Sequence, residues 1–215
     1  WDCIAGQQAA LGLMVAERHR RLTGAGQHVQ LALKDVAAAM LGNLGIIGEV
    51  AINGVDRPKS GNALYGAYGQ DFETSDGERV MVVALTQRQW RGLLEATGAG
   101  PKMAALADEI GRDLNLEGER WTARHRITEI LRPWFAGRTL QGAMAGLDGH
   151  GVVCGPFRSF QEALARDPDL SADNPMFETV DHAGIGPLLS PGSPLQFGAA
   201  PQRSPGAAPA LGQHT

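Results

Sequence analysis

Cysteine is scarce: the chain of 215 residues holds two, Cys3 and Cys154. Two isolated cysteines exclude a disulfide-stapled scaffold and point to a reducing compartment, so a cytoplasmic location is expected. Charge of one sign is not in large excess. The formal net charge is −4, which argues against a nucleic-acid partner held by overall charge. Long apolar runs are missing too. None is long enough to span a bilayer, so no membrane partner is expected. The apolar stretch Ala9 to Ala16 is broken by Glu17 and Arg18, which excludes a signal peptide. His19, His28, His125, His150, His182 and His214 show no metal-ligand spacing, and no metal site is expected. Repeats, heptads and a Gly-x-x-x-x-Gly-Lys phosphate loop are absent.

What is present suits one large domain or two small ones, since 43% of residues are hydrophobic and 20% charged. The chain opens on Asp2 and an Ala/Leu run that predicts a helix from about Ile4 to Leu22. This helix should be buried at its start, basic at its end, and closed by Gly24. Asp2 falls at or just before its N-terminus; read alone, that is an ordinary helix cap. Cys3 beside it reads as a small buried packing residue. Residues 27–33 alternate polar and apolar, the pattern of a strand. From Lys34 to about Ala51 an apolar stripe is interrupted by Gly42, Gly45 and Gly48, which suggests either close approach by another backbone or flexibility.

Residues 52–61 read as a linker. Then comes a loop in which glycines alternate with aromatics, Tyr65-Gly66-Ala67-Tyr68-Gly69. Residues 70–74 and 78–85 predict a hairpin turning at Ser75-Asp76-Gly77, the second strand central because both its faces are apolar. Asp71, Glu73 and Asp76 read as solubility charges on that hairpin. Thr86 should cap a helix ending at Gly98. Further helices are expected over 103–111, over 121–135 with Pro133 kinking or ending it, and from Thr139. Residues 152–154 predict a short buried strand, and Ser159 to Arg166 a helix stopped by Asp167-Pro168. Beyond Asp169 the chain turns Pro- and Gly-rich, with short strands over 176–180 and 195–197.

Several of these segments, in this order, carry a family likeness. They are Asp2-Cys3-Ile4-Ala5-Gly6, the basic helix end running into Thr23-Gly24-Ala25-Gly26-Gln27, Ser60-Gly61-Asn62-Ala63, Gly151-Val152-Val153-Cys154-Gly155-Pro156 and Pro209-Ala210-Leu211-Gly212-Gln213-His214-Thr215. Together they resemble the class III CoA-transferases, the superfamily of formyl-CoA transferase and 2-methylacyl-CoA racemase, over the whole chain. The resemblance implies an α/β fold: part of a Rossmann-like large domain plus a smaller α+β domain. Residues 1–55 would belong to the large CoA-binding domain, 56–68 to a linker and the glycine-containing loop, 69–170 to the small domain, and 171–215 to the return. It also implies that the chain is a piece of a longer protein, and that the whole protein is an interlocked homodimer.

By the same resemblance Asp2 is the catalytic nucleophile, and Tyr65, Gly66, Ala67, Tyr68 and Gly69 bind the substrate. An aspartate can attack an acyl-CoA thioester to give a mixed anhydride and CoA thiolate. The CoA thioester is then substrate, the partners are an acyl-CoA and a carboxylic acid, and no resident cofactor is expected. Formyl-CoA transferase has a run of glycines where this chain has Tyr65 and Tyr68, which implies a different acid. The segments Asp2 to Gly6 and Gly61 to Phe72 resemble the branch that moves CoA between the two carboxyls of mesaconate. Two alternatives remain open. One is α-proton exchange, as in the racemases, although these carry a glutamate where this chain has Thr86-Gln87. The other is a non-catalytic packing domain.

Overall fold

A computed structural model describes residues 1–213, so His214 and Thr215 of the last family segment lie outside the described residues. The chain divides into two compact units, Trp1–Lys59 and Ser60–Thr215.

The first unit holds three helices: α1 (Asp2–Thr23), α2 (Leu33–Asn43) and α3 (Ile46–Asn53). α1 ends as its sequence predicts, with Gly24 left-handed and its N–H donating to the Arg20 carbonyl. Residues 27–33 form no strand: Ala32 is extended and directly caps α2. A strand exists only by pairing, and this unit contains no strand to pair with. The stripe over 34–51 is two helices, because Gly45 sits at φ 76 and breaks it. No close approach to the glycines comes from within the chain. A methyl group at Gly45 or Gly48 would meet nothing within 4 Å, so no backbone of this chain approaches them. The expected burial of α1 is also not met. Among the described residues of this unit only Val36 is buried; Leu11, Leu13, Met14 and Val15 are exposed, and so is Cys3. No single helix is long and apolar enough to cross a membrane; α2 and α3 pass that test only together, bent by 60°.

The second unit is built on an antiparallel sheet of order β1 (Tyr68–Glu73), β2 (Arg79–Ala84), β3 (Val153–Phe157). β2 is central, as its two apolar faces predict. Val80, Val82 and Ala84 point into the core. Onto that face pack α4 (Gln87–Thr97), α5 (Gly100–Ile110), α6 (Glu117–Thr122), α7 (Arg124–Ala136) and α8 (Leu140–Leu147). Trp90, Leu93, Met103, Ile127, Leu131 and Phe135 fill the space between, with Phe135 stacked 4.1 Å from Phe72. The expected single helix over 121–135 is two, joined at Ala123, and Pro133 does not end it. Near a helix C-terminus one missing N–H is tolerated, and the Gly137 N–H still reaches the Pro133 carbonyl.

Thr86 and Ser159 both form reciprocal caps, with Gln89 and Glu162, at the starts of α4 and α9 (Phe160–Arg166). β3 is an edge strand and not buried: Val153 is 53% exposed and Phe157 43%. Past α9, β4 (Phe177–His182) pairs with β5 (Gly186–Pro191), a strand the sequence reading missed; none forms over 195–197. The register puts Val180 opposite Leu188.

Candidate functional site

Asp2 is the first residue of α1, inside the first turn and not its cap. The cap position is Trp1, which makes no side-chain cap bond. The Asp2 side chain is exposed, and no described residue hydrogen-bonds or ion-pairs with its carboxylate. A cap aspartate uses its oxygens on the N–H groups of the next turn; here they stay available at the positive end of a 22-residue helix. The basic end of α1 is solvated, as expected: Arg20 and Arg21 both pair with Glu17, which lowers the Glu17 pKa.

In the second unit the Tyr65–Gly69 loop is partly core. Tyr68 and Gly69 begin β1, and Ala67, Tyr68 and Gly69 are buried. The Tyr68 hydroxyl lies 3.0 Å from Thr128 Oγ1 and the ring packs edge-on to Trp90; burial pushes the phenol pKa above its usual value. Gly69 is required by packing, since a methyl group there would stand 2.7 Å from Leu64 Cβ. Of the five residues expected to touch substrate, Tyr65 and Gly66 are the exposed ones, with Gly66 left-handed at φ 82.

Three ties hold residues 60–66. The Leu64 N–H donates to the Gly69 carbonyl at 2.9 Å. The Tyr65 ring lies 4.8 Å from that of Trp121, and the Arg124 guanidinium stands over Trp121 at 3.8 Å. Asn62, in the Gly61-Asn62-Ala63 segment, hydrogen-bonds the Asp71 carboxylate. Asp71 also accepts from Gln70 at 2.7 Å and from Arg79 at 2.9 Å. Burial pushes the Asp71 pKa up, but the bonds from Arg79 and Asn62 outweigh it and hold the group below the usual carboxylate range.

Asp71 and Asp76 are therefore not the solubility charges they resemble in the sequence. Asp76 accepts from Thr74 at 2.6 Å and from the Leu140 N–H at the start of α8. Only Glu73, at 69% side-chain exposure, fits the expected part. Sequence reasoning missed Trp121 and Arg124, which adjoin the loop only through the packing of α6 and α7. No group of His, Cys, Asp and Glu among the described residues can hold a metal. A groove of about 930 Å³ runs between α8 and β3 with Arg88 and Arg158 in its lining; none of the sequence-derived site residues lines it.

The whole chain, residues 1–215, matches the family CoA-transferase family III, and it belongs to that family. Within it, the chain is 54% identical over all 215 residues to a 2-methylfumaryl-CoA isomerase of Chloroflexus aurantiacus, covering 53% of that protein. It is 25% identical to the alpha subunit of a succinyl-CoA–L-malate CoA-transferase of the same organism, covering all of this chain and 48% of that one. A solved CAIB/BAIF family protein from Brucella suis shares the fold with a TM-score of 0.65 and 25% identity, over 98% of this chain and 52% of that one. The chain thus spans about half the length of the curated relatives it matches.

Proposed function

We propose that the protein to which this chain belongs moves CoA between the two carboxyls of one small dicarboxylic acid, with Asp2 as the nucleophile. The observation that carries the reading is the 54% identity to a 2-methylfumaryl-CoA isomerase along the full 215 residues. The exposed, unpartnered carboxylate of Asp2 supports it. Asp2 Oδ attacks the thioester carbonyl, the C–S bond breaks, and CoA leaves as thiolate. The thiolate then attacks the aspartyl carbonyl of the anhydride, freeing the dicarboxylate and leaving an aspartyl thioester. The other carboxylate of the acid attacks that thioester, expelling CoA thiolate and forming a second mixed anhydride; the thiolate then attacks the new acyl carbon, and Asp2 leaves as the free carboxylate. A carboxylate (pKa about 3.9) leaves more readily than a thiolate (about 8.5), so the protein must stabilise the thiolate and keep water from the anhydride.

In this reading Tyr65 and Gly66, the exposed part of the loop, contact the acid, and the buried Ala67, Tyr68 and Gly69 hold the loop to the sheet. The CoA thioester is substrate, and no resident cofactor is required. The unit 1–59, with its exposed apolar helices, supports a homodimeric whole protein, and the two free cysteines support a cytoplasmic one. The position after β2 where a racemase has its glutamate is taken up by the Thr86–Gln89 cap.

The test is made on the full-length protein with mesaconyl-CoA in D₂O, read by mass spectrometry. The expected product carries CoA on the other carboxyl and no deuterium, and Asp2→Asn lowers the rate by a factor of about 1,000 or more, as for loss of a covalent nucleophile. In a parallel run with a saturated 2-methylacyl-CoA, deuterium gained at the α-carbon without CoA movement would replace this reading with proton exchange.

A further inference from the structure

His182, on β4, is the one described histidine with a hydrogen bond at both ring nitrogens. We infer that it is a pH-released latch: the neutral ring holds the extended segment 203–208 against the β4–β5 hairpin, and a proton on Nδ1 sets that segment free.

Two bonds fix the hydrogen on the ring. The Ala208 N–H can only donate, and it reaches Nδ1 at 3.0 Å, so Nδ1 presents a lone pair. Nε2 lies 3.0 Å from Ser190 Oγ. The Ser190 hydroxyl gives its own hydrogen to the Leu188 carbonyl at 3.3 Å, so its oxygen accepts from Nε2–H. Both ends demand the same neutral tautomer. That tautomer also excludes Ser190 and His182 as a nucleophile and its base, since Nε2 already holds the hydrogen a base would accept. His150 differs: its Nδ1 stands 3.8 Å from Glu95, beyond hydrogen-bond reach.

The segment is tied at its two ends. Before it, the Gln202 side chain donates to the Ser193 carbonyl, a bond that does not titrate. At its end Ala208 meets His182. Between these ties, residues 203–207 make no backbone hydrogen bond to a described residue, and Pro205 alone is half-buried. A proton on Nδ1 would face the Ala208 N–H, donor against donor, while the Nε2–H bond to Ser190 survives. The ring then stays on the hairpin and the segment leaves it. Around the ring, Glu178 shares its face of β4 and Asp181 lies on the other face; β5 carries no charge, and Arg203 is the one charged residue over 192–213. None of them ion-pairs with His182.

The experiment is hydrogen exchange on the full-length protein, read by mass spectrometry on peptides covering 203–210. It compares about pH 8 with about pH 5, the range over which imidazole changes charge. Exchange times are scaled for the pH dependence of unprotected amides, and a peptide of α7 is the control. In the wild type, protection of the segment is expected to be about fivefold lower at the acid end, the size of one lost hydrogen bond. His182→Asn and His182→Ala cannot take up the proton, so neither should show the fall, and His182→Ala should sit at the low level throughout. Equal wild-type protection at both pH values overturns the latch. So does a fall that persists in either variant, or a His182→Ala segment as protected at the alkaline end as the wild type. A fall shared by the α7 peptide is unfolding of the whole unit, and it overturns the latch as well.

Discussion

Three acids in one hairpin look alike in the sequence and have three different environments. Glu73 is solvated, Asp76 holds the start of α8, and Asp71, with 4% of its side chain exposed, ties Asn62 to the sheet. Asp71 lends itself to a pH test. Its folded pKa is depressed, so the stability it contributes is complete above its unfolded value, about 3.9, and is lost as pH falls through the lower folded value. The melting temperature of the wild type should therefore fall more steeply below about pH 4 than that of Asp71→Asn. At pH 7 the variant should be less stable by about 1–3 kcal/mol, because the bonds to a buried, charged acceptor are weakened. Arg79 is about half exposed, so its ion pair adds little to that figure. Parallel pH curves for the two proteins would show that Asp71 is not held in its charged form.

At the scale of elements, local signals carried well. Thr86, Ser159 and Gly24 each predicted a helix end that the structure has, because a cap is decided within a few residues. What depends on a partner did not carry. Residues 27–33 alternate like a strand but pair with nothing in their unit, while β5 carries Pro187 and Pro191 yet pairs because β4 lies beside it. Contact between α4 and the 148–152 turn is likewise invisible in sequence. A methyl group at Gly92 would stand 2.0 Å from the His150 carbonyl oxygen, so α4 sits where only a bare backbone fits. Gly92→Ala is expected to cost about 3 kcal/mol, the upper end for overpacking, because backbone must move. Chemical denaturation of wild type and variant checks it; a loss under about 0.5 kcal/mol would mean the turn yields freely.

For the molecule as a whole, the two units differ in how completely they close. The second encloses a core of fully buried Trp90, Phe72, Phe135, Leu131 and Val82 under the sheet. The first leaves Leu11, Leu13, Met14, Leu44 and Ile52 in solvent. In the chain of 215 residues, amides of β2 and α7 should exchange with solvent slowly and those of α1 quickly, since protection follows buried apolar contact. Equal protection of α1 and α7 in mass-spectrometric exchange would show that α1 has found cover.

The family, several helix ends and the β1–β2 hairpin were legible in residue order. Each rests on groups a few positions apart, or on a likeness carried by short motifs. The strip from Tyr65 through Trp121 to Arg124, the burial of Tyr68, and the difference between Asp71 and Glu73 were not. They join residues far apart in the chain, and whether a charge or a ring is buried depends on what the fold lays against it.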